Sequence, residues 1–138
     1  MKSIKFFAII AVVLLVIIIA MPSKTPETSI SASKATFSQV DNDTGCTSKN
    51  SDEKKEVLFS KNYEGKQFTW TGNVVLIKGN DVSLNLNDGT LQDLTVTMQD
   101  KNAAFELQKD QQLTVKFIMK RQGGCVLPYR GMDGIIVK

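Results

Sequence analysis

Two cysteines and no histidine define the chemistry open to this 138-residue chain. General acid and base work most often relies on an imidazole poised near neutral pH, and none is present. The carboxylates Asp81, Asp88, Asp93 and Asp133 sit in turn-like stretches, where turn chemistry accounts for them, and nothing pairs a nucleophile with a base. Cys46 and Cys125 have no Cys-x-x-Cys spacing and no second thiol nearby, which argues against a metal or redox pair. In an oxidising compartment they are expected to form one disulfide, worth roughly 4 to 5 kcal/mol by chain entropy. Met98, Met119 and Met132 are soft enough to suggest copper, but Met98 and Met119 fall on core-facing positions of alternating segments and read as packing. The expectation is no catalytic residue, no metal and no cofactor, hence not an enzyme.

What remains is binding. Seventeen Lys and Arg face fourteen Asp and Glu, and with Lys2 and Lys5 set apart the rest is nearly balanced, unlike a dedicated nucleic-acid binder. Residues 111–138 are locally basic, with Lys116, Lys120, Arg121, Arg130 and Lys138 against Asp133 alone. Within them a Gln122 to Arg130 loop carries Gly123, Gly124 and Cys125 and is flanked by Arg121, Tyr129 and Arg130. Tyr and Arg are frequent interface anchors and a disulfide-held loop loses little entropy on binding, so Arg121, Tyr129 and Arg130 are the candidate partner-binding residues. The competing reading has Tyr129 covering an open end of the domain and Arg130 merely solvated.

These residues follow an N-terminal segment that sets an address. Phe6–Met21 is an unbroken run of sixteen apolar residues behind Lys2 and Lys5. As a helix it would reach roughly 24 Å, short for a bilayer core but long for a signal-peptide core, and apolar all round. Residues 1–21 are therefore expected to be a signal anchor or transmembrane helix, meeting the membrane through residues 4–21 with the N-terminus cytoplasmic. Small residues for cleavage appear only late, at Ser31, Ala32 and Ser33, so retention is favoured over cleavage. Lipidation at Cys46 lacks the apolar stretch it requires. The expected location is a bacterial inner membrane with the remainder in the periplasm, or release to the periplasm if the segment is cleaved.

Residues 22–50 read as a linker and cysteine-bearing arm: Pro22 to Ser33 is a tether, Phe37 and Val40 are candidates to dock, and Asp41 to Gly45 reads as a turn. Residues 51–138 read as one domain. A helix is predicted from an Asn50 cap to near Tyr63, with Val57, Leu58 and Phe59 buried. Phe68, Trp70, Val74 and Leu76 then share one face of a long strand bent at Gly72. Val82, Leu84 and Leu86 follow inward, with Ser83, Asn85 and Asn87 outward. Beyond Asn87-Asp88-Gly89 come Leu94, Val96 and Met98 inward, with Thr95 and Thr97 outward. A short helical stretch lies in Asp100 to Gln108, then Leu113, Val115, Phe117 and Met119 alternate, and a last strand spans Gly134 to Val137.

That order predicts a mainly β, five-stranded OB-fold barrel with a helix before its first strand and a short helix between its third and fourth strands. Tyr63-x-Gly65-Lys66 opening a strand that continues Thr71-Gly72-Asn73-Val74-Val75, and Leu107 to Lys116 leading into the fourth strand, resemble the bacterial tRNA_anti-like OB-fold family over about residues 57–137. The resemblance implies the fold and is nearly silent on function; the Cys125 to Tyr129 loop and its cysteine-bearing arm are not part of that pattern. OB domains grip single strands with aromatic platforms on strands two and three, each typically worth ~1 to 3 kcal/mol per base. Here the outward residues are small and uncharged, so nucleic-acid binding is disfavoured. The expected function is a non-enzymatic, membrane-anchored, extracytoplasmic OB-fold module that binds a protein partner or envelope ligand. A periplasmic small-ligand or ion-binding domain and a phage or toxin exclusion or immunity protein are the alternatives.

Overall fold

A computed structural model describes residues 29–138. The expected membrane anchor and most of the expected tether lie outside them. Among the described residues no helix is long and apolar enough to cross a membrane.

Strand β1 (Gln67–Lys78) follows period-two alternation as far as Val74: Phe68, Trp70, Gly72 and Val74 are buried, while Thr69, Thr71 and Asn73 face water. Its first half pairs antiparallel with β4 (Gln112–Arg121) and its second half with β2 (Asp81–Asn85). Serving two neighbours requires a sharp bend, and Gly72 sits there because a Cβ would run into the Asn85 carbonyl. The β1–β2 register slips between Val74 and Leu76. That bulge reverses the facing of the strand, so Leu76, expected inside, is 52% exposed.

Strand β3 (Leu94–Met98) pairs antiparallel with β2, and β5 (Tyr129–Ile136) inserts between β3 and β4, parallel to the first and antiparallel to the second. The order β1-β2-β3-β5-β4 closes on itself, which gives a mainly β, OB-like five-stranded barrel. β5 begins five residues earlier than the sequence suggests, at Tyr129, because its first residues pair with Leu94 and Thr95. Val82, Leu84, Leu94, Val96, Met98, Leu113, Val115, Phe117 and Met119 fill the interior.

Helices close both ends. The short helix between β3 and β4 (Lys101–Phe105) is capped by Asp100, buries Ala104 and leaves Phe105 exposed. At the other end Phe37–Thr44, expected partly as a turn, is helix α1, fixed by a capping box in which Thr36 accepts from the Gln39 amide and Gln39 from the Thr36 amide. Helix α2 (Asp52–Asn62) starts from a Ser51 cap, while the Asn50 side chain, expected to cap it, donates to the Asp43 carbonyl. Of its expected apolar patch only Phe59 is fully buried and Val57 faces solvent. Lys101–Phe105 is α3 in chain order.

The arm belongs to the domain. Gln67 donates its amide to the Ser31 carbonyl at 3.0 Å and Ser33 donates to the Gln67 carbonyl at 2.8 Å, so Ala32 bridges beside the start of β1. Val40 is completely buried and Phe37 packs edge-on against Trp70 and Tyr129. Residues 31–44 thus pack directly on the barrel.

Candidate interaction surface

Tyr129, expected as an exposed anchor, is only 2% exposed. As the first residue of β5 it points into the barrel mouth, beneath α1. Its hydroxyl lies 3.0 Å from the Thr44 hydroxyl, which already donates to the Val40 carbonyl at 2.8 Å, so the phenol is the donor of that pair. Burial pushes its pKa well above the ordinary value, and it cannot contact a partner without the cap leaving. Trp70 and Tyr63 complete this aromatic plug: Trp70 Nε1 donates to the Ala35 carbonyl at 2.9 Å and the Tyr63 hydroxyl to the Asp43 carboxylate. Burial, reinforced by Asp43, pushes the Tyr63 phenol up to about 12, away from any acid-base task near neutral pH.

The loop of residues 122–128 is pinned as expected. Cys46 and Cys125 are bonded, with an S–S distance of 1.97 Å and Cα atoms 4.6 Å apart. Gln122 Nε2 donates to the Thr44 carbonyl at 2.6 Å and the Gly124 amide to the Leu127 carbonyl at 2.8 Å. Loop and cap are thus one unit.

Arg121 and Arg130 do come together. They stand opposite each other where β4 meets β5, both outward. Like charges in that position repel unless one is compensated, and Arg130 is: its Nη1 reaches across β3 to Asp81 Oδ2 on β2 at 3.3 Å. The other Asp81 oxygen accepts from the Thr97 hydroxyl at 2.6 Å. Arg121 has no ion-pair partner among the described residues. The two arginines, Lys120, Thr97, Gly131 and Met132 line an open groove of about 390 Å³ on the outer wall of β3, β5 and β4. Gly131 forms its floor, since β5 passes so close over the Phe117 ring that a Cβ there would strike it.

Lys120 comes from the basic stretch noted in the sequence, whereas Met132 and Asp81 are not expected at this site. Met98 and Met119 are core, as the sequence indicates, and Met132 is separated from them on the outer wall.

The strand-two and strand-three face differs from expectation. Ser83, Asn85 and Thr95, read as outward and free, are buried. The Ser83 and Thr95 hydroxyls bond at 2.9 Å, and Asn85 Nδ2 donates to the Gly89 and Leu91 carbonyls, holding the 86–93 loop down over it. With Arg130 laid across β3, the short polar side chains are consumed internally. No protein-family model, curated protein or solved structure matches the chain.

Proposed function

We propose that this chain is a non-enzymatic interaction module, tethered to a bacterial inner membrane by residues 1–21, that presents the β3-β5-β4 groove to a protein partner in the periplasm. The groove carries the reading: it holds the exposed, uncompensated Arg121 beside Lys120 and Met132 on a wall made rigid by the barrel. Its partner is a protein segment with a carboxylate for Arg121 and an apolar side chain for Met132. The Cys46–Cys125 bond supports an oxidising compartment, and the Lys2–Lys5 flank of the apolar run supports the orientation. Kinship with the tRNA_anti-like family is part of the same proposal, supported by the strand order.

The test places a photo-crosslinking residue at Met132 in cells and compares the adducts with and without Arg121→Glu. A discrete protein adduct lost on charge reversal supports the groove. An adduct formed equally well by Arg121→Glu, or one obtained only from a crosslinker at the exposed Phe105, assigns binding to another face.

A further inference from the structure

Leu91, Val126 and Leu127 are 68%, 88% and 61% exposed and belong to two different loops. Those loops lead into neighbouring strands at one rim. β3 and β5 are parallel and begin together, Leu94 against Tyr129, and the Tyr129 amide donates to the Asp93 carbonyl at 2.8 Å. Leu91 lies three residues before Leu94 and Val126 three before Tyr129. Single exposed apolar residues are ordinary on a protein surface; here three stand in loops that enter neighbouring strands at one end of the barrel.

The tips are also fixed. Asn85 holds the Gly89 and Leu91 carbonyls, the Gly124 amide closes a turn on Leu127, and Cys125 is bonded to Cys46. A pre-ordered apolar tip loses little conformational entropy when it is buried.

The chain itself indicates what buries it. β1 starts at this same end, because it runs antiparallel to β4, whose last residues adjoin the start of β5. Ser31 and Ser33 bond to Gln67 there, so the preceding chain meets the barrel at this end and not at the α3 end. Residues 22–30 separate the apolar run Phe6–Met21 from that point, a contour of at most roughly 32 Å.

We infer that Leu91, Val126 and Leu127 insert at the headgroup boundary of the bilayer that anchors the chain, standing the barrel end-on with its capped mouth toward the lipid and α3 away from it. This rests on the anchor reading of residues 1–21. The short tether keeps the tips at high local concentration near the surface, so a contact too weak to recruit a free protein suffices to orient a tethered one.

The full chain is reconstituted into vesicles of phosphatidylcholine and phosphatidylglycerol, with Val126→Trp or Leu91→Trp in one set and Phe105→Trp, on α3 at 83% exposure, in the other. Emission from buried Trp70 is subtracted using the unsubstituted chain, and flotation reports anchoring separately. The expected result is that phospholipid brominated high on its acyl chains quenches the Val126→Trp and Leu91→Trp signals by about half, while the Phe105→Trp signal stays water-like and unquenched. Flotation without quenching at Val126→Trp and Leu91→Trp, or with equal quenching at Phe105→Trp, overturns the docking and leaves the anchor standing. Failure to float overturns both.

Discussion

Replacing both cysteines with serine should lower stability without altering the folded structure. Cys46 and Cys125 are exposed, so the substitutions open no cavity, and their effect lies in the unfolded chain. The bond spans 79 positions, for which chain entropy gives roughly 4.5 kcal/mol at 25 °C, an upper figure where the unfolded ensemble retains structure. With a urea dependence of about 1.5 to 2 kcal/mol per molar for a domain of this size, the midpoint should fall by roughly 2 to 3 M and the slope should steepen. The cap should stay seated, because Gln122 still holds the Thr44 carbonyl, Tyr129 still meets the Thr44 hydroxyl and Val40 remains buried. Urea titration followed by Trp70 fluorescence, with near-ultraviolet circular dichroism of the folded form, measures both. A midpoint shift below about 0.5 M at unchanged slope would refute the entropic account. Loss of the native aromatic signal before any urea is added would show that the bond alone keeps the cap in place.

Trp70→Ala should cost roughly 3 to 5 kcal/mol, since it empties the plug and leaves the Ala35 carbonyl without its indole donor; a measured loss under about 1 kcal/mol would refute that placement. Tyr63 makes stability fall at high pH. Its folded value near 12 exceeds the unfolded 10.0, so the folded state holds the proton more tightly. The contribution is therefore complete below pH 10 and lost as pH rises through 12. Tyr63→Phe should flatten that fall in denaturation curves across this window, and an unchanged slope would exclude Tyr63 as its source.

The barrel was legible because its interior strands alternate cleanly: Phe68 to Val74, Val82 to Leu84, Leu94 to Met98 and Leu113 to Met119 each carry their facing in every second residue. Leu76 was misread because a bulge is set by the partner strand's register, which β1 does not encode by itself. Helix α1 was hidden because FSQVDNDT offers few apolar residues; its signal was local, the Thr36 and Gln39 capping box, and the buried Val40 does the rest. Tyr129 looked like a loop residue beside glycines and proline, and only its pairing with Leu94, distant in sequence, shows that it opens a strand. Arg121 and Arg130 were visible by type, but Asp81, which neutralises one and leaves the other available, comes from β2 and depends on tertiary placement. The burial of Ser83 and Thr95 likewise follows from what is laid across them rather than from their own polarity.

The position of β5 between β3 and β4 dictates an order of events during folding. A chain delivered from its N-terminal end can pair β1 with β2 and β2 with β3, and later β4 with β1, but one edge of β3 and one of β4 stay bare until Tyr129–Ile136 arrives. Each bare edge is a row of unpaired amides and carbonyls able to recruit a strand from another molecule. Cys46 waits through the same interval, because its partner lies 79 positions later and the residue that seats its helix, Tyr129, follows just behind. Closure is non-local and correspondingly slow, so the barrel lacking β5 is the stage most open to pairing between molecules.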